Sequence, residues 1–247
     1  MLLIDSGNTA LKCRYIQGDM TLDRQFPVHY DDGISEFIVY LDSLDDVPIY
    51  LASVASEAIT RRIVEAIQQH CPQAPFSRLL TQPSLGAVSN AYDDYAQLGV
   101  DRWLTLLAAY ELVDTDAMIL DAGSAITIDL LSRQQGHLGG AILPGLQTDE
   151  VRFRQLFPWV DFDQPGRFNA QQPGRSTVEC IHMQHAPAWL DDVLELIQRW
   201  HGLLQPTQTL LLTGQDAGYF SDHLERPCTI VPDLVFKGML KQIELQG

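Results

Sequence analysis

Two stretches of this chain share one layout. Residues 2–15 read LLIDSGNTALKCRY, and residues 118–131 read MILDAGSAITIDLL. In each, an apolar strand ends at Asp-x-Gly and a second strand follows. Asp121 falls on Asp5, Gly123 on Gly7 and Ser124 on Asn8. A single Asp-x-Gly is an ordinary turn, since both residues suit turns for local reasons. The same device at the head of both halves is a stronger constraint. It predicts a duplicated α/β protein, because repetition at half-chain length marks repeated structural units. The boundary is expected near 113–116, giving domains over 1–115 and 116–247.

The rest of each half is mixed. In the first, a strand is expected around 26–30, a helix over 33–41 and a buried strand over 47–54. A helix capped by Ser56 should run to Gln69, with Ile59, Ile63, Val64 and Ile67 on one face. Residues 81–98 carry Pro, Gly, Asn and Asp and read as a loop, followed by a helix over 101–112. In the second half, helices are expected over 146–157 and 177–200. Strands are expected over 136–143, 209–213 and 228–231, with a last helix over 233–245.

Net charge is −16, so the field of the chain opposes a nucleic-acid backbone or an anionic membrane. An acidic protein handling an anionic nucleotide needs a cation or a focused positive site. Lysine is scarce: Lys12 is the only one before Lys237 and Lys241, and it stands beside the first Gly-Asn turn. Cys13, Cys71, Cys180 and Cys228 lack metal-type spacing and read as reduced thiols of a cytoplasmic protein. No membrane-spanning run or signal peptide is expected. His182 and His185 share a helical face without a third ligand and read as surface residues.

Facing Asp-x-Gly turns would make a cleft whose two sides reach phosphates. Glycine lets a ligand approach the backbone, and successive amides form an anion nest. Asn8, Thr9 and Ser124 add side-chain donors, and Lys12 adds a point charge. Asp5 and Asp121 repel phosphate and make sense only with a cation between, for which Mg²⁺ is suited. Neither G-x-x-x-x-G-K-[ST] nor G-x-G-x-x-G is present. At the head of the helix in LGVDRW (98–103), Asp101 is either an ordinary helix N-cap or a base for an alcohol. Arg102 is either solvated or a reader of a carboxylate. RSTVE (175–179) reads first as a capping box. The glycines of HLGGAILPGL (137–146) mark a tight bend or a close ligand approach.

DSGNTALK, GVDR, DAGSAITID and GGAILPGL stand in the order and spacing of type III pantothenate kinases, and the chain resembles that family over nearly its whole length. The resemblance implies two duplicated ribonuclease H-like α/β domains with an interdomain nucleotide cleft, in the actin-like, sugar-kinase-like ATPase superfamily. It implies ATP-dependent phosphorylation of pantothenate, the first step of coenzyme A biosynthesis, by a cytoplasmic homodimer. Asp5, Ser6, Gly7, Asn8, Thr9, Ala10, Leu11 and Lys12 would form the first phosphate loop, with Asp5 near Mg²⁺. Ser124 would touch ATP phosphate, and Asp121 would hold a monovalent cation, K⁺ or NH₄⁺. Asp101 would be the base. Tyr92, Gly99, Val100, Asp101, Arg102 and Thr177 would bind pantothenate.

Two positions depart from the family pattern. Ser124 stands where threonine is commoner and keeps the hydroxyl. Gln215 stands where Thr-Gly-Gly is commoner, which leaves nucleotide preference open. The alternative readings are a non-catalytic regulator resembling the Bvg accessory factor, or another small-molecule kinase of the superfamily. Retention of Lys12, Asp101 and Arg102 favours the enzyme.

Overall fold

The computed structural model describes residues 1–27, 31–145 and 188–247. The chain divides into two compact units. The first comprises Met1–Asp114, Arg133–Gly139 and Asp233–Gly247; the second comprises Thr115–Ser132 and Gly140–Pro232.

The first unit is built on a five-stranded sheet of order β3-β2-β1-β4-β5. Its strands are β1 (Leu2–Ser6), β2 (Ala10–Gln17), β3 (Met20–Pro27), β4 (Ile49–Ser53) and β5 (Phe76–Arg78). β1 pairs antiparallel with β2 and parallel with β4. Leu2, Leu3 and Ile4 are all fully buried, as a central strand covered on both faces requires. On one face, α1 (Asp31–Asp42) and α2 (Glu57–His70) supply Phe37, Leu41, Ile63 and Ile67 to the core. Ser56 caps α2 by accepting from the Ile59 amide. Along that helix Thr60, Ile63, Ala66 and Ile67 are the buried residues, while Ile59 and Val64 pack at the margin. The third strand begins at Met20, earlier than expected. Its side chains are nearly all exposed, so an edge strand carries no burial pattern to read.

After β5 the chain forms a two-residue hairpin, β6 (Ser84–Leu85) with β7 (Val88–Ser89), then a 3₁₀ turn over Tyr95–Gln97. α3 (Val100–Leu112) follows and buries Trp103, Leu104, Leu107 and Ala108, with Arg102 and Thr105 beside them.

The second sheet has the same order, β10-β9-β8-β11-β12. β8 (Ala117–Ala122) pairs antiparallel with β9 (Ala125–Ser132) and parallel with β11 (Thr209–Thr213), which pairs parallel with β12 (Thr229–Ile230). β10 (Gly136–Pro144) begins in the first unit and ends in the second. The duplication read from two turns is therefore a duplication of sheet order and strand direction. α4 (Ala188–His201) and α5 (Ala217–His223) belong to the second unit; α5 is too short to show a periodic pattern and was not expected. The helix expected over 146–157 and the first part of that expected over 177–200 lie outside the described residues, as do Cys180, His182 and His185.

The last helix, α6 (Leu234–Gln246), follows the second unit in the chain. Placed in the second half by sequence position, it packs in the first unit. Gly238 allows this: a side chain there would begin 2.0 Å from the Leu104 carbonyl oxygen of α3. At the helix entry Asp233 accepts from Arg14 of β2 at 2.8 Å, and the Arg14 guanidinium lies 4.7 Å from the Phe236 ring centre. Among the described residues, no helix is long and apolar enough to cross a membrane.

Candidate active site

β1 delivers Asp5 to the mouth of the first hairpin. There it faces Lys12 across the antiparallel pair, and Ser6 faces Leu11. Opposite charges directly across two strands favour this register. The turn closes when the Gly7 amide donates to the Ala10 carbonyl at 3.0 Å. In the second hairpin Asp121 faces Thr127 and Ala122 faces Ile126, and the Gly123 amide donates to the Ala125 carbonyl at 3.0 Å. Gly7 to Ala10 thus lie between the last pairs of the first hairpin, and only Gly123 to Ala125 in the second. The ungapped repeat holds through Asp and Gly and then slips by one residue: the counterpart of Lys12 is Thr127, not Ile128.

Both turn glycines spend their amides inside the hairpin. Neither has a positive φ, and a side chain would meet nothing closer than 3.6 Å at either. Internal packing therefore does not demand glycine at these two matching positions. Ser6 is fully buried; its carbonyl accepts the Val54 amide at 3.0 Å, and its Oγ has no hydrogen-bond partner among the described residues. Leu11 lies in the hydrophobic core, so only its backbone faces any ligand. Asn8, Thr9 and Lys12 are exposed.

The second turn is boxed in by two other glycines. A side chain at Gly145 would begin 2.4 Å from the Ser124 carbonyl oxygen, and the Gly145 amide donates to that oxygen at 3.2 Å. Gly214 has φ +89° and ends β11 beside the turn. The point where its Cβ would stand lies 2.4 Å from the Ala122 carbonyl oxygen and 2.6 Å from Asp121 Oδ1. The Ala122 carbonyl carbon lies 2.5 Å from the same point, so the Gly214 backbone packs directly on the Ala122 peptide and the Asp121 carboxylate, an approach that only glycine allows. The next residues reinforce the corner: the Asp216 amide donates to the Ala122 carbonyl at 3.0 Å. Burial pushes the Asp216 carboxyl above the ordinary range, only partly offset by a Gln215 hydrogen bond.

The substrate motif lies at the start of α3. Gly99 is its N-cap, and the Arg102 amide donates to Asp101 Oδ1 at 2.7 Å. An acid in the first turn is favoured by the helix dipole. A side chain at Gly99 would begin 2.5 Å from Asp101 Oδ1 and 3.4 Å from Val54 Cγ1, so Gly99 keeps the space the carboxylate occupies. Val100 is buried. Arg102 is only 5% exposed; its Nη1 donates to Tyr92 Oη at 2.9 Å, and its guanidinium lies 5.8 Å from the Tyr92 ring centre. The structure thus brings together Tyr92, Gly99, Asp101 and Arg102. Thr177 lies outside the described residues.

The sequence reading missed two contributors. In sequence, Gly214 does no more than follow a strand and precede Gln215, and His137 stands at the head of the glycine-rich HLGGAILPGL. His137 stacks on Tyr92, with ring centres 6.0 Å apart and planes 19° from parallel. Nothing local in the sequence links residues 92 and 137.

Two sheets of one order, each headed by a carboxylate turn, define a duplicated α/β fold. Solved structures agree. A Baf-family protein from Campylobacter jejuni is 21% identical with a TM-score of 0.56, covering 99% of this chain and 98% of that one. The ethanolamine utilization protein EutJ from Carboxydothermus hydrogenoformans is 10% identical with a TM-score of 0.52, covering 100% and 89%. These likenesses concern fold alone. The family model of the type III pantothenate kinases matches residues 1–199. The type III pantothenate kinase of Pseudomonas aeruginosa (strain LESB58) is 32% identical over 244 residues, 97% of each chain. That of Marinobacter nauticus is 31% identical over 219 residues, 88% of this chain and 87% of its own. The chain belongs to the type III pantothenate kinase family.

Proposed function

We propose that this protein transfers the γ-phosphoryl group of ATP to the primary hydroxyl of pantothenate, giving 4′-phosphopantothenate, the first step of coenzyme A biosynthesis. The observation that carries this reading is the juxtaposition at α3: a buried guanidinium steered by Tyr92, one residue after a carboxylate with space reserved for it. Such a pair suits a substrate with an alcohol to deprotonate and a carboxylate to recognise.

In this reading Asp101 takes the hydroxyl proton as the oxygen–phosphorus bond forms and the bond from the γ-phosphorus to ADP breaks. Arg102, with Tyr92, holds the pantothenate carboxylate, and Gly99, Val100 and Thr177 complete the pocket. Lys12, Asn8 and Ser124 contact ATP phosphates, and the turn glycines admit those phosphates close to the backbone. Phosphoryl transfer asks mostly for positioning and charge neutralisation. A divalent ion such as Mg²⁺, held through Asp5, supplies part of that neutralisation when bound. Asp121, at the end of β8, is the residue assigned to K⁺ or NH₄⁺ in this reading. A homodimer located in the cytoplasm belongs to the same proposal.

The test is direct. Purified protein incubated with ATP, Mg²⁺, K⁺ and pantothenate should yield a product heavier by one phosphoryl group at the hydroxyl end, read by mass spectrometry. No product with any of several nucleotides would overturn the reading in favour of a regulator on the same fold.

A further inference from the structure

Tyr92 stands in a loop with little regular structure of its own, so something must hold its ring against Arg102. Asn90 organises the loop locally: its Oδ1 accepts the Tyr92 amide at 3.0 Å, and its Nδ2 donates to the Tyr95 carbonyl at 3.2 Å. Fixing the loop in space falls to a distant stretch, residues 135–137. Ser89 Oγ donates to the Gln135 carbonyl at 3.0 Å. Gly136, with φ +79°, sits so tightly on the loop that a side chain would begin 2.1 Å from Ser89 Oγ and 2.8 Å from its amide nitrogen. His137 is 3% exposed. Its ring lies nearly parallel to Tyr92, and its Nδ1 accepts the Ala91 amide at 3.5 Å. Three consecutive residues thus clamp residues 89–92, and the last sets the plane of the ring whose hydroxyl takes the Arg102 hydrogen bond.

We propose that His137 is a positioning residue of the substrate site, which orients Tyr92 through ring contact and thereby aims the Arg102 guanidinium at the substrate carboxylate. This rests on the assignment of Arg102 as the carboxylate reader. An aromatic pair of this kind contributes beyond its buried area, and a small misplacement of a binding group costs much in rate or affinity. His137 touches Tyr92 rather than substrate, so its loss should appear in recognition and not in the chemical step.

Steady-state kinetics of His137→Ala, His137→Phe and Arg102→Gln, on pantothenate and on its carboxylate-free alcohol pantothenol, test this. His137→Ala should raise KM for pantothenate roughly tenfold, with kcat and KM for ATP nearly unchanged, and should lower the preference for pantothenate over pantothenol. His137→Phe keeps a flat ring on Tyr92 and should restore most of that preference. Thermal melts confirm that each variant is folded; if His137→Ala is not, His137→Phe and wild type decide through the same ratio. The proposal is overturned if the pantothenate KM does not move, if both substrates' KM values rise together, or if the phenylalanine variant is as impaired as the alanine. Arg102→Gln separates the two ideas. Preference unchanged in that variant overturns the carboxylate-reader assignment, whatever His137 does; preference lost there but intact in His137→Ala overturns only the positioning role.

Discussion

Asp101 and Gly99 illustrate how a site is held by what is missing as much as by what is present. The carboxylate keeps its place because residue 99 has no side chain. Gly99→Ala should therefore leave the fold intact but push the carboxylate aside, lowering kcat about tenfold, while the KM for ATP stays near its wild-type value. Asp101→Asn removes the proton acceptor itself and should slow turnover by roughly 10²-fold with ATP binding preserved; an undiminished kcat would show that Asp101 is not the base. The assignment of Asp121 to a monovalent cation leads to a third expectation. Replacing K⁺ with Na⁺ at constant ionic strength should sharply lower the rate, since cavity size and ligand number decide cation selectivity. Equal rates in the two salts would remove the monovalent site from Asp121.

At the scale of elements, α6 is tied to β2 by charge as well as packing. Asp233 accepts from Arg14 at 2.8 Å and pairs with Lys237 at 3.2 Å. Burial by itself would raise this carboxyl's pKa, but the hydrogen bonds and charges of Arg14 and Lys237 outweigh it and hold the group below its ordinary value of 3.8. Its folded-state pKa is thus depressed. The stabilisation is fully present above the ordinary value and is lost as pH falls through the folded one. Asp233→Asn should lower Tm near neutrality by about 2–4 °C, and its Tm should fall less than that of wild type between pH 5 and 3. Circular-dichroism melts across that range measure both. Elements were legible where burial is periodic or continuous: α2 by its cap and stripe, β1 and β8 as unbroken apolar runs. They were less legible where burial is absent, as in β3, or where the element is only two residues long, as in β6 and β7.

For the whole molecule, the return of α6 to the first unit has a consequence that linear order hides. A chain truncated after Pro232 keeps every residue assigned here to ATP or pantothenate. It also strips the cover from α3, where Gly238 lets α6 approach the Leu104 backbone. That variant should lose its cooperative melt for the first unit and with it pantothenate binding, measurable by calorimetry; retained binding would show that α6 is dispensable.

The amino-acid sequence by itself determined the duplication, the two carboxylate turns and the Asp101–Arg102 pair. Each is a short local pattern, and strand period, turn chemistry and adjacency on a helix are local physics. It equally determined that an acidic chain with one early lysine needs a cation or a focused positive site to handle a polyanion. Only the tertiary structure decided the slip that matches Lys12 with Thr127, the packing of Gly214 on Ala122 and Asp121, the clamp of His137 on Tyr92 and the unit to which α6 belongs. Those depend on residues far apart in the chain, such as 92 and 137 or 104 and 238. Their contacts exist because folding brought backbones close enough that only glycine, or a flat ring, would fit.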